Sequence, residues 1–398
     1  MTRGGRIGGP GGGTSALANA LDRAGHHWEG GLRPRADLVF AALGGVGFHY
    51  ALVGHPQANR VAIDGSAGGF SASGERFVLA ARGLGANPTV HRYPDDDAAE
   101  AGLHAALHSG GATLVWTDLA ALPYNPMPRG YQRSLSHAVG VVGHEGTDYL
   151  LDDRSERPLP IDGHRLRMTR DLAPVGARAL LHLPPEPAPG KAPWPFVIAA
   201  LVAGLREHLD ARLGNRGVAG MSLLAARLRD PSHEQGWRRR FGRGLPMFHA
   251  HCALFRFLQH GAGPGLGRPL LAAALRLIGQ AGGRPELLDH ADRWRAVGSM
   301  WSALADAALP YATPGLNEAR QLLAARMETF LREGIEGVGT AESTRLTAIA
   351  VEMDQAFPLS PTELAFLHAE LAGQLDRLAA AERLAAQRLL ATLERSRD

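Results

Sequence analysis

A single cysteine, Cys252, is all the thiol chemistry that the 398 residues carry. One cysteine excludes an intramolecular disulfide and any multi-cysteine zinc or iron–sulfur centre. Lysine is as scarce: Lys191 stands alone, and arginine supplies the rest of the 42 basic residues. With abundant Ala, Gly and Pro, that bias reads as the imprint of a GC-rich, actinobacterial type of genome and not of a function. A formal net charge of +3 is too small to imply nucleic acid by itself. Long apolar runs are missing too. The longest, PFVIAALVAGL from Pro195, is too short to cross a bilayer and ends in charged residues. The N-terminus shows no secretory h-region, so the expectation is a cytoplasmic protein with no membrane partner.

What is present is a globular composition, 45% apolar and 20% charged, on a chain long enough for two domains. The sharpest boundary is PPEPAPGKAPWP (184–195), where proline density prevents helix and favours an extended spacer. The expected division is a domain over 1–185, a Pro-rich linker over 186–195 and a helical domain over 196–398. The first part mixes a small-residue helix over 14–24, a buried strand ATLVWTDL (112–119) and a hairpin, HAVGVVGHEG (137–146) with DYLLDDRSERP (148–158). Beyond the linker nearly everything has helical periodicity. The last helix opens with SPTE (360–363), a capping box with proline at its first position. Its leucines at 364, 367, 371, 375 and 378 form one stripe, expected to pack within its own domain.

Two stretches carry candidate chemistry. IGGPGGGTSALANALD (7–22) runs a glycine-rich turn into a helix, a junction that suits either a phosphate or a nucleophile held at a helix N-terminus. It lacks the lysine of a phosphate-binding loop, and no strand leads into it. In the hairpin, the start of one strand lies near the end of the next. His137 is therefore placed to meet Asp153 or Asp152, whose carboxylate would orient the imidazole. A strand-start histidine beside a turn aspartate is the plain alternative.

The order of these pieces resembles the butirosin biosynthesis protein H family. The matching segments are GGTSALANALDRAG from Gly12, ALGGVGFHY (42–50), LVWTDLAALPY (114–124) and HAVGVVGHEGTDYLLDD (137–153). Further on, LFRFLQHGAGPGLGR (254–268) and WSALADAALP (301–310) are similar to the family's helical C-terminal part. The resemblance implies an α+β papain-like N-terminal domain followed by an all-α domain. It also implies a cysteine acyltransferase that moves an acyl group from an acyl carrier protein to a small amine. No cofactor is implied except phosphopantetheine as part of the carrier substrate.

Counted back from Gly25, the family's cysteine falls at Gly12, so the nucleophile is absent. Three explanations stay open. The chain is a pseudoenzyme that retains binding; Thr14 or Ser15 replaces the thiol, with His137 as base; or His137 assists direct attack of a bound amine on the carrier thioester. For Thr14 and Ser15, an N-cap and a first-turn hydroxyl are the ordinary roles. A thiol placed at residue 12 is expected to be partly ionised if the helix N-terminus faces His137.

Other candidates are weaker. Among His249, His251 and Cys252 the two histidines are two apart, which sends them to different helix faces and disfavours a metal. GAGPGLGR (261–268) could offer Arg268 to a phosphate, although a helix–helix turn explains its glycines. In WRRRFGRG (237–244), Arg238, Arg239, Arg240 and Arg243 beside Trp237 and Phe241 could meet an acidic carrier protein or form a solvated face; nucleic acid comes last. A homo-oligomer is compatible with the sequence.

Overall fold

The computed structural model describes residues 6–53, 60–67, 74–125, 127, 129–186, 189–210, 212, 214–337 and 340–395. Its contacts divide the chain into two compact units. One comprises Met1–Gly45, Phe70–Leu201 and Phe330–Gly337; the other comprises Val46–Gly69, Val202–Thr329 and Val338–Asp398.

The first unit is built around a mixed-length antiparallel sheet. The apolar run ATLVWTDL becomes β4 (Ala112–Asp118), buried along its whole length. It pairs with β5 (Ser136–Glu145) on one side and β8 (Ala179–Leu183) on the other. β3 (Thr89–Arg92) extends the sheet beyond β8, and β6 (Asp148–Asp152) and β7 (Leu159–Asp162) extend it beyond β5, making six strands. Helix α1 (Gly13–Arg23) packs on β4 and β5, and Thr14 through Asp22 are all buried. α2 (Ala36–Ala42) packs against α1, and α3 (Gly74–Gly83) against both. α4 (Asp96–His108) starts at Asp95, whose carboxylate accepts from Ala98 N at 2.8 Å. α5 (Gly163–Asp171) follows β7 and packs on β4.

The second unit holds a two-stranded sheet, β1 (Val46–Val53) with β2 (Arg60–Ser66). Around it lie α7 (Gly217–Arg229), α8 (Trp237–Phe241), α9 (Leu245–His260), α10 (Arg268–Ala281), α11 (Leu287–Ala308), α13 (Thr340–Gln355) and α14 (Pro361–Arg395). α6 (Trp194–Leu209) and α12 (Pro314–Glu333) each change unit along their length. α14 is capped as its sequence requires: Ser360 N donates to Glu363 Oε2 at 2.7 Å and Glu363 N to Ser360 Oγ at 3.2 Å. Its leucine stripe is buried, against α7 and α11 of the same unit.

The single cut expected between 1–185 and 196–398 is therefore amended at two places. The β1–β2 hairpin belongs with the helices because fully buried Arg268 donates to Gly47 O at 2.7 Å and Gly65 O at 3.0 Å. Phe48 also stacks on Trp301, 5.5 Å between ring centres, and Trp237 Nε1 donates to Tyr50 Oη at 3.1 Å. Conversely, Phe330–Gly337 belongs with the sheet: Phe330 stacks on Tyr124 at 5.5 Å, and Glu156 N donates to Leu331 O at 2.7 Å. The 186–195 stretch, apart from 187 and 188, which lie outside the described residues, is pinned and not a free spacer. Glu186 N donates to Ala24 O and Gly190 N to His27 O, at 2.7 and 2.9 Å. Among the described residues no helix is long and apolar enough to cross a membrane.

Candidate functional site

The hairpin places the histidine and the acids as the sequence suggests. Gly140 pairs with Asp152, so His137 near the start of β5 lies close to the residue that follows β6. His137 Nε2 is 3.0 Å from Asp153 Oδ1, off the line of a hydrogen bond; the imidazole side chain is 13% exposed and the carboxylate fully buried. Burial pushes the Asp153 carboxyl up, but the charges of His137 and Arg154 outweigh it and hold the group below the usual carboxylate range. Asp153 Oδ1 also accepts from Arg154 N at 2.9 Å.

Asp152 has a different task, because adjacent strand residues point to opposite faces. Its Oδ1 accepts from Gly8 N at 2.8 Å and from Asn19 Nδ2 at 3.2 Å; its Oδ2 accepts from Arg23 Nη1 at 2.7 Å. It ties the glycine-rich turn to α1 and to the sheet, and among the described residues no hydrogen bond or ion pair joins it to His137. Of the two candidate partners, Asp153 is the one that meets the imidazole.

Three amides of the same turn are already spent inside the protein. Gly8 N goes to Asp152, Gly9 N to Arg154 O at 2.9 Å, and Gly11 N to Ser15 Oγ at 3.1 Å. Donors already bound to protein groups do not face an anion. Ser15 is buried with its hydroxyl on Gly11 N, and Thr14 is buried as well. Among the described residues no hydrogen bond joins either hydroxyl to His137.

Gly12 stands at the N-cap of α1 and faces the imidazole. A Cβ on residue 12 would lie 3.0 Å from His137 Cε1 and 3.8 Å from Nδ1. Its backbone, φ 48° and ψ −120°, is a conformation that only glycine adopts without strain. The neighbouring Gly13 is helical, and a Cβ there would point instead at Ala138 and Phe77, each at 3.2 Å.

Two residues of this site gave no sequence signal. Tyr124, fully buried in a proline-broken loop, has its phenol held well above the usual range, first by burial and then by the charge of Asp153. Phe330, distant in sequence, stacks on Tyr124 and lies under the Arg154 guanidinium, 5.6 Å from ring centre to Cζ.

The other candidates resolve into structure. Arg268 donates from Nε to Glu382 Oε1 at 2.6 Å and from Nη2 to Oε2 at 2.8 Å, and both side chains are fully buried, so it is not offered to a phosphate. Its glycines form the helix–helix turn. His251 Nδ1 donates to Ala308 O at 2.8 Å, and its Nε2 meets His368 Nε2 at 3.2 Å. Among the described residues no group of three His, Cys, Asp or Glu gathers around a metal-sized space. Burial pushes the Cys252 thiol up to about 12. Trp237 and Phe241 are core residues, and Arg243 donates to Leu359 O and Phe357 O. The aromatic half of the basic stretch is thus closed to a partner.

His137 and Asp153 thus form an imidazole–carboxylate pair beside the N-terminus of α1, on an antiparallel sheet. Residues 12–154 match the family model described as butirosin biosynthesis protein H, N-terminal, the family that the sequence resembles. No curated protein matches the chain.

Proposed function

We propose that this chain serves natural-product biosynthesis in the cytoplasm, handling acyl groups presented as carrier-protein thioesters in a papain-like unit that no longer forms an acyl-enzyme. The observation that carries this reading is Gly12. It occupies the one helix-start position whose side chain would face His137, and its backbone conformation excludes an ordinary L-residue. The family match over 12–154 supplies the biosynthetic context. The retained surfaces would still bind the phosphopantetheine thioester of an acyl carrier protein, with no resident cofactor of their own.

The preserved His137–Asp153 pair favours a second reading, in which transfer is direct. The amine nitrogen attacks the thioester carbonyl, its proton passes to His137 Nδ1, the C–S bond breaks, and the departing thiolate takes the proton back. Asp153 would orient the ring throughout.

Incubating the full chain with an acyl carrier thioester, with and without an aminoglycoside amine, tests both. Intact mass is expected to show the unmodified chain; a turning-over acyl adduct on any residue overturns the proposal. Amide product that depends on His137 selects direct transfer. Carrier binding without product selects the pseudoenzyme.

A further inference from the structure

Strand β4 ends at Asp118, and the chain turns there. Asp118 Oδ1 accepts from Ala120 N and Ala121 N, at 2.8 and 3.1 Å, and Asn125 N donates to Leu122 O at 3.1 Å. Asn125 Nδ2 reaches back to Leu119 O at 3.0 Å. A loop fixed at both ends in this way holds Tyr124 in the interior, 4% exposed, with its ring stacked on Phe330. Packing alone would be met by phenylalanine, which fills the same space without burying a hydroxyl.

That hydroxyl is buried without a completed hydrogen bond, and so is Asp153 Oδ2. The two groups are neighbours: Asp153 acts on the phenol both through its charge and as a hydrogen-bond acceptor. Arg154 closes the region, with Nε 3.6 Å from Asp153 Oδ1 and its guanidinium over Phe330. The charged groups that act on the phenol are Asp153, Arg154 and, more weakly, Asp152, which Arg23 already pairs. A buried donor and a buried acceptor left apart each carry the cost of lost hydration. Beside an ionised carboxylate, which only accepts, the phenol is the donor.

We infer that Tyr124 is the positioning residue of the His137–Asp153 pair: its hydroxyl donates to Asp153 Oδ2 and fixes the plane of the carboxylate. Arg154 N already holds Oδ1, at 2.9 Å. A second anchor, on Oδ2, removes the remaining rotation about the Cβ–Cγ bond, a soft torsion in aspartate. Oδ1 then stays 3.0 Å from His137 Nε2. The ring proton is thereby kept on Nε2, which leaves Nδ1 to accept on the Gly12 side. The inference rests on the reading of this pair as the acid–base group of the site. Its readouts need no acyl group, so it and the proposed acyl chemistry can fail separately.

Tyr124→Phe keeps the ring and the stack and removes only the hydroxyl. Ring-nitrogen NMR of His137 in the unaltered chain, at a pH where the ring is neutral, should show mainly the Nε2–H tautomer. In the variant the tautomer ratio should fall by about threefold to tenfold, the net effect of one hydrogen bond. Tyr149→Phe removes another buried hydroxyl of the same unit, the one on His104 Nε2, and should leave the ratio unchanged. A role in packing alone would not move the tautomer. Should Tyr124→Phe fail to fold, crystals of the unaltered chain decide: Oη is expected about 2.5–2.8 Å from Asp153 Oδ2. A separation beyond about 3.5 Å, an unchanged ratio in Tyr124→Phe, or an equal fall in Tyr149→Phe overturns the inference.

Discussion

The imidazole of His137 occupies the space that a side chain on Gly12 would enter, with Cε1 3.0 Å from the place of the missing Cβ. Gly12 is therefore fitted to the histidine, and restoring a larger residue there is not a simple reversal. Gly12→Ala is expected to destabilise the chain by about 1–3 kcal/mol, from backbone strain and displacement of the ring. Gly12→Cys should show a similar loss, but its thiol, between the α1 N-terminus and the imidazole, should alkylate faster than Cys252 and more slowly in the His137→Ala background. Urea unfolding and iodoacetamide rates measure both; a residue-12 thiol with no dependence on His137 would show that the pocket has decayed along with the nucleophile.

Asp152 and Asp153 should part company on mutation. Asp152→Ala removes three hydrogen bonds and leaves part-buried Arg23 without its carboxylate. A cost of about 3–5 kcal/mol is expected, as for other broken buried pairs. Asp153→Asn keeps the shape and should cost less, while abolishing any His137-dependent amide formation. Chemical denaturation and product assays separate the two. Equal stability losses would contradict this division of labour.

Acid should loosen the second unit in a defined window. His251 and His368 are held neutral chiefly by burial, at about 4 and about 3 against an ordinary 6.5. A folded-state value below the unfolded one means that the stabilisation is complete above about pH 6.5 and is lost as the pH falls toward 4. The Tm should decline across that range, and His368→Leu should flatten the decline. An unchanged slope in the variant would assign it to other groups.

Glu382 accepts from Arg268, and from Trp301 Nε1 at 2.5 Å, and lies 2.9 Å from His208 Nε2. Burial pushes its carboxyl up, but Arg268 and His208 outweigh that and bring it down to about 2. Its contribution is present above the ordinary value near 4.5 and lost as pH falls toward 2. Glu382→Gln should cost about 3–5 kcal/mol at neutral pH, because fully buried Arg268 then has no counter-charge. Urea titration at pH 7 decides it; a loss under 1 kcal/mol would refute the role.

Cys252 should be nearly inert to iodoacetamide at pH 8 in the folded chain, since burial raises its thiol to about 12. Labelling should appear only with denaturant. Rapid labelling of the native protein, followed by mass, would disprove it.

Periodicity made the helices beyond the linker readable, and the Ser360–Glu363 box marks the start of α14. The His137–Asp153 approach was legible because hairpin pairing fixes which strand ends meet. β7 and α5 were not, because Pro158 and Pro160 conceal the pattern. An edge strand tolerates such a proline, having one side free of pairing. Tyr124, Arg154 and Phe330 come together only through tertiary packing, which no local spacing encodes. The same is true of the β1–β2 hairpin, whose attachment to the helices depends on Arg268, more than two hundred residues from Gly47.

The return of Phe330–Gly337 to the first unit sets an order on the birth of the protein. The six strands are complete once Leu183 is made, yet Tyr124 and Arg154 wait for Phe330. At ordinary ribosomal speeds that interval is about 7–30 s. A nascent sheet thus leaves the ribosome with one aromatic seat open, and no fragment that stops before residue 330 can close it.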